Sequence, residues 1–558
     1  MTRPSPLFVA LSFSAVLGSA AFAASLPNQS AWTMAADETK PTEFVAAFND
    51  LDLEFDPHHS IYSAEAQVFT ALYEGLFSYD PESLDPQRAV CKSYVRSKDG
   101  LTYTFTLREK AAWSDGTPLM ARDFRDAWLR VLSPQEKADY AAFFDVIAGA
   151  KEYRLGISKD PETVGLKILG DKVLEVKLAS PAAYFTRLLC HHSFSPIHPS
   201  MLQVRDWQNK LPFPVNGPYA FTAFEKGELR LTKNANYWDS ASVMVEKLRF
   251  LFSDDDADAT RRFDNGEIHW LAGPMDVDAL LDRQAIKITP MFGTHYWFFD
   301  CGTEPWSDSR IRRALTLLVP WKEVRNSESY LMPADTLVLP FDGYEKAEGI
   351  QDANEEEARK LLAEAGKPDG KGLAPLVILL PSGGEDAKRI GEILKAAWER
   401  LPGLSVELRE TNSARYFDAV RAGPVASGYT IAVTTWIGDF ADPLAFLQMW
   451  TSDSNLNDAR FIDPEFDRLI ADSSAEEGKK RLDILAEAES RLLGSGACLP
   501  IYHSLAANIV DTNFIEGWYT NALDIHPFKT IAFGQPKVRS NVAKSIAPHK
   551  PTSIGWHK

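Results

Sequence analysis

Cysteine is scarce in this chain: four residues in 558, at positions 91, 190, 301 and 498, far apart and never in a CxxC pair. The spacings of structural zinc sites are therefore absent. Four cysteines allow three full pairings, and nothing in their positions selects one. Long apolar runs are missing too. Beyond the N-terminus no stretch reaches the ~18 apolar residues of a membrane span. Positive charge is outnumbered, with 59 Lys and Arg against 77 Asp and Glu and a formal net charge of -18. That balance argues against nucleic acid and anionic membrane surfaces as partners. Catalytic signatures are lacking as well. There is no G-x-S-x-G elbow and no H-E-x-x-H. The nearest phosphate-loop candidate, "GKPDGKG" at 366–372, has too few residues between its glycines and Gly372 where a hydroxyl should hold magnesium. An exported hydrolase, the one enzymatic alternative, finds no motif here.

What is present reads as an ordinary folded chain, 45% hydrophobic and 24% charged, long enough for two to four domains. Residues 1–23 form a secretory signal peptide. Arg3 supplies the positive start, "LFVALSFSAVLGSA" the apolar core and "AFA" the small-x-small cleavage pattern. No cysteine follows for lipid attachment, so the mature chain is expected to be exported, soluble and unanchored. Residues 24–40 are a polar leader, and the tail from 541 is polar with two prolines.

The first half predicts mostly antiparallel structure. A strand begins at "PTEFVAAFND", and "AEAQVFTALYEGLF" has helical spacing ending at Gly75. "LTYTFTLRE", "VLEVKLAS" and "ELRLTKNA" alternate as half-buried strands. "AAWSDGTP" is a turn through Asp115-Gly116, and "ARDFRDAWLRVL" an amphipathic helix. The second half changes texture. "DSRIRRALTLLV" is a helix capped by Ser307 or Asp308. "DANEEEARKLLAEAG" is a helix capped by Asn354 and ended by Gly366. "PLVILLPS", "EDAKRIGEILKAAWERL" and "LSVELRE" follow as the strand–helix–strand crossover of a parallel sheet. The run "CHHSFSPIH" (Cys190, His191, His192, His198) is read as strand or loop. Adjacent histidines cannot easily share one ion, so no metal is expected.

One stretch raises a question of chemistry. In "TTWIGDFADPLAF", 434–446, Asp442 precedes Pro443 and suits a helix N-cap. Asp439 has no such duty. It lies between Phe440 and the apolar "WIG", three residues after Trp436. Most of the tryptophans beside polar turns (113, 238, 297, 306, 450) read as core. Trp436, next to an isolated carboxylate, can wall a ligand cavity.

"AAWSDGTPLMARDFRDAWLRVLSP" resembles the signature of extracellular solute-binding proteins of the oligopeptide and dipeptide transport family (family 5), the periplasmic receptors of ABC importers. "LDLEFDPH", "ALYEGLFSYDP", "VNGPYAFTAFEKGELRLTKNANYWD", "DSRIRRALTLLV", "ARKLLAEAG", "TTWIGDFADPLAFLQMWTS", "DPEFDRLIADS" and "LPIYH" follow in family order, so the likeness spans about 41–535. It implies an α/β, periplasmic binding protein-like (class II) fold, with three lobes, a hinge and an interlobe ligand cleft. Lobe I would comprise 41–73, 208–292 and 529–540, lobe II 74–207 and lobe III 293–528.

The resemblance also implies a role for Asp439. In peptide-binding members the acid of a Trp-x-x-Asp-Tyr motif pairs with the ligand's α-ammonium, and Trp436, Asp439 and Phe440 match it. Backbone around 433–437, including Thr435 and Ile437, would pair with an extended peptide, and Tyr140 would line the cavity. The expected partners are a peptide and inner-membrane ABC permease subunits. The receptor would be a periplasmic monomer with no cofactor and no enzymatic activity. Departures exist. Phe440 replaces the motif's Tyr and Thr435 a Gly. Val433 replaces a basic residue. The positions of a disulfide carried by some members are Gly293 and Ile437. Near Ser413 a Trp is missing, near Ile61 an acid, and Met120 replaces a helix-capping Thr. The same scaffold carries oligosaccharides, nickel chelates or haem in other members, which is the alternative reading.

Overall fold

Two long strands set the architecture. Ile286–Phe299 and Cys498–Val510 lie antiparallel, but not in one register. Ile286–Pro290 pair with Leu505–Ile509, the ladder breaks between Pro290 and Thr294, and pairing resumes from Thr294 against His503. A proline offers no N–H to a ladder, and Pro290 stands at this break. The computed structural model describes residues 41–534, apart from Asp52, Ile61, Arg205, 326–331, Asp342, Glu345, Lys346, Gln351, Asp439 and Asn455. The signal peptide, the leader and the tail of the sequence reading lie outside the described residues.

Around the long pair runs one eleven-stranded sheet. On one side follow Trp270–Leu271, Glu43–Phe48, Lys247–Phe252, Glu228–Lys233 and Tyr219–Glu225. On the other stand Ile431–Ile437, Leu376–Pro381 and Val406–Thr411. Leu376–Pro381 is apolar throughout and covered on both faces, as a central parallel strand must be. It pairs parallel with Val406–Thr411 across the helix Glu385–Trp398, the crossover expected from sequence. Asn354 caps Glu355–Glu364 by accepting the Glu357 N–H, and Asp308 caps Ser309–Thr316.

A separate four-stranded antiparallel sheet orders Cys91–Arg96, Thr102–Leu107, Val173–Lys177 and Leu166–Gly170. Thr102–Leu107 buries every second residue. The turn before the helix Ala121–Leu132 uses Gly116 at φ +86°. Met120 supplies no side-chain cap. Asp123 takes part of that duty, accepting the Met120 N–H at 2.8 Å and the Trp113 indole N–H at 3.2 Å.

One expectation changes. The helix "AEAQVFTALYEG" spans Ser63–Leu72 and stops before Gly75, because Tyr73 turns extended and its hydroxyl donates to the Phe55 carbonyl at 3.0 Å. "CHHSFSPIH" is a loop, the second of its two readings. A helical turn, Phe185–Leu188, precedes it and a 3-10 turn, His192–Phe194, falls within it. Residues after about 505 pair with strands distant in the chain. Ile509 and Val510 face Leu271 and Trp270, and Ile515–Glu516 pairs with Ala532–Phe533.

Asp442 does accept the Leu444 N–H, at 3.0 Å, ahead of the short helix Leu444–Leu447. It also receives both arms of Arg481, at 2.7 and 2.8 Å, and both side chains are buried. The guanidinium lies 5.2 Å from the ring centre of Tyr184. Removing one member of a buried pair strands the other charge. Arg481→Met is therefore expected to lower stability by about 3–5 kcal/mol in urea unfolding, and Asp442→Leu with Arg481→Met by less than the two singles combined.

Burial lowers the pKa of several histidines. His58, His192, His295 and His503 are each depressed to about 4. An unfolded histidine takes a proton near pH 6.5, so between about 6.5 and 4 the unfolded chain binds more protons at these sites and stability falls as pH falls. Glu65 and Glu489, pushed up to about 7 by burial, act in the opposite direction and only partly offset this. Urea midpoints measured from pH 7.5 down to 4.5 should decline, and His503→Gln should flatten the decline.

Candidate functional site

The strand Ile431–Ile437 starts in the core and ends in a cavity. Ile431, Ala432 and Val433 are buried, whereas Thr434 to Ile437 are partly exposed. One edge pairs fully with Gly293–Phe299. The other meets Leu376–Pro381 only at Ile431–Ile378. At Val433 the Tyr416 hydroxyl substitutes for a strand, accepting the N–H and donating to the C=O, both at 2.8 Å. Gly438 N–H points the other way, donating to the Phe292 carbonyl at 2.7 Å. Main-chain groups alternate in direction along an antiparallel strand. Those of Thr435 and Ile437 therefore face the open edge, where no strand among the described residues meets them.

That edge borders a cavity of about 1310 Å³, beyond the ~300–1,000 Å³ of small-molecule sites. Asp50 and Leu51, just past the carboxyl end of Glu43–Phe48, form part of the opposite wall. The cavity thus lies at the carboxyl ends of strands from both halves of the sheet, where open α/β folds place ligands. Gly438 lines it because nothing larger fits: an added Cβ would stand 2.6 Å from the Phe292 ring and 2.9 Å from the Phe446 ring.

Of the residues singled out from sequence, Tyr140, Thr435, Trp436 and Ile437 line this cavity. Trp436 is fixed by its indole N–H, which donates to the Ala445 carbonyl at 2.9 Å. Thr435 Oγ1 sits 3.0 Å from His295 Nδ1 on the neighbouring strand. Tyr140 packs edge-on against His191 at 4.6 Å between ring centres. Ile437 stands directly across from Gly293, its Cγ1 3.2 Å from where a Gly293 Cβ would be, so an aliphatic contact takes the place of the disulfide found in some members. Asp439 lies outside the described residues. Phe440 is a correction. It is fully buried and absent from the cavity wall, stacked on Tyr184 at 5.9 Å and edge-on to Phe143 at 6.0 Å.

Phe440 therefore ties the segment after the strand Ile431–Ile437 to the region of Phe143 and Tyr184. At the rim, Lys151 pairs with Asp453 at 2.8 Å and Arg96 pairs with Glu477 across the same boundary.

The histidine run does not converge. His191 and His192 face the cavity, with burial lowering the pKa of both, whereas His198 packs against Trp113 and lies 3.2 Å from Thr117 Oγ1. Among the described residues, Asp56, His59 and Glu136 have donor atoms close enough to share an ion. Arg130 fills that space, pairing with Asp56 at 2.6 Å and with Glu136.

Sequence reasoning missed the charge of the wall. Among the described lining residues, seven are Asp or Glu and two are Lys or Arg. One cation, Lys529, is consumed by Glu74 and Ser78, each at 3.0 Å. Glu74 in turn accepts the Tyr237 hydroxyl and the Trp238 indole N–H, each at 2.5 Å. These partners are hundreds of residues apart, so no local motif announced them.

Comparison with known proteins follows this geometry. Residues 85–458 match the family of bacterial extracellular solute-binding proteins, family 5 Middle. The chain is 30% identical over 485 residues to the periplasmic oligopeptide-binding protein OppA of Salmonella typhimurium, covering 82% of this chain and 86% of that one. The structure of the Escherichia coli murein tripeptide binding protein MppA superposes with a TM-score of 0.73 at 25% identity, over 89% of this chain and 99% of that one. Haemophilus influenzae OppA in complex with RPPGFSPFR superposes at 0.72 and 23% identity, covering 89% and 99%.

Proposed function

Because the chain belongs to the bacterial extracellular solute-binding proteins of family 5, we propose that it is a periplasmic receptor that encloses peptides between its lobes and delivers them to the permease of an ABC importer. The observation that carries this reading is the open strand edge at Thr435 and Ile437, facing a cavity large enough for several residues. An extended peptide adds to such an edge through main-chain hydrogen bonds, whatever its side chains. Affinity then need not depend on sequence, and waters can fill unused side-chain space.

In this reading Asp439 is the anchor of the peptide's α-ammonium, through a charge-assisted hydrogen bond shielded from water. Trp436 and Tyr140 are cavity walls. Phe440 serves by another route than contact: it seats lobe III against lobe II when the cleft is shut. We place the hinge at the register break of the two long strands, near Pro290 and residues 503–505. The receptor works as a monomer, exported by its cleaved signal peptide, with binding and release and no bond broken in the ligand.

Native mass spectrometry of the mature protein as purified should show peptide masses, lost on partial unfolding and restored by added peptide. Masses of another solute class would overturn the peptide reading. Asp439→Asn should weaken tripeptide binding by ~2–5 kcal/mol in calorimetry, the cost of a buried ammonium left without its partner. Unchanged affinity would remove the anchor role.

A further inference from the structure

Buried carboxylates in this protein have structural work to do. Asp300 accepts the Gly302 N–H and pairs with Arg460. Asp442 holds Arg481, and Asp463 caps Pro464–Ser473 while holding Arg491. Asp458 is different. It is half-buried and lines the cavity, yet among the described residues its carboxylate accepts no hydrogen bond and forms no ion pair. Burial raises its pKa, and only the field of Arg421, exposed on the same wall, lowers it. A carboxylate taken partly out of water without a partner is costly. No partner among the described residues recovers that cost.

The surroundings indicate what would. Phe298, Phe417, Met449 and Trp450 line the cavity together with Asp458. Trp450 is buried and its indole N–H has no partner. Aromatic faces and a thioether suit an alkyl stem, and a ring attracts a cation over its face. A metal ion is disfavoured, because Asp458 belongs to no group of three donor side chains among the described residues. Asp418, exposed and unpaired on the helix Ser413–Ser427, adds negative charge to the same wall.

We infer that Asp458 is a second cation-binding group of the cleft, separate from Asp439, which receives the ammonium or guanidinium of a lysine or arginine side chain of the bound peptide. This rests on the peptide-receptor reading and narrows it: peptides carrying a basic side chain are the favoured cargo.

Calorimetry on the mature protein tests it with trialanine, the three single-lysine variants of trialanine, and their norleucine counterparts, which keep the alkyl stem without the charge. At one position lysine should bind at least tenfold more tightly than norleucine. Asp458→Asn should remove that preference and leave trialanine affinity within twofold of wild type. Because Asp458 has no partner to lose, the ligand-free variant should melt no lower than wild type. If lysine shows no preference at any position, or if Asp458→Asn weakens all peptides alike, the subsite is overturned while the peptide reading stands. If no peptide binds at all, both fall.

Discussion

A β-strand that loses its neighbour halfway along is the constraint on which this structure turns. Ile431–Ile437 begins between two strands and ends beside a cavity, and Tyr416 closes the last protein-made slot at Val433. Beyond it, main-chain donors and acceptors face space that no strand among the described residues fills. Exposed edges invite pairing and are usually blunted by charge, proline or a covering element. Here the edge is sheltered inside a cleft, away from other copies of the chain and open to an extended guest. The remainder of the architecture positions this edge: the crossover behind it makes it rigid, and the long strands set the opposite wall at a distance.

The cleft is walled by two kinds of interaction with different tolerances. Toward Phe143 and Tyr184 the boundary is aromatic and buried, with Phe440 between them and the Asp442–Arg481 pair behind. At the rim it is ionic and exposed, through Lys151–Asp453 and Arg96–Glu477. Exposed pairs contribute little each, about 0–1 kcal/mol, and salt screens them. The aromatic seam supplies the attraction, and the rim pairs supply alignment. Such a division suits lobes that must both meet and part.

Much of the fold was legible because its signals are local. The Asn354 cap and Gly366 stop, the apolar Leu376–Pro381, and the alternation of Thr102–Leu107 each state their own structure. The site was legible only in part, because its logic is long-range. Trp436 and Thr435 could be expected near a cavity from the family motif, and both line one. Phe440 could not be placed in the core, since its partners come from residues 143 and 184. Asp442 read as a cap, and its guanidinium partner lies 39 residues on. Asp458, in "NLNDAR", has the composition of an ordinary turn. Its meaning comes from a partner that the folded chain fails to provide.

The four cysteines carry one more implication. All are unpaired thiols, two fully buried, and burial raises the pKa of each. An aliphatic side chain stands at the cleft position where a bridge could have been. Burial therefore keeps these thiols protonated and poor nucleophiles at neutral pH. A thiol held in this way reacts slowly with oxidants, so the fold does not hang on the state of its sulfur.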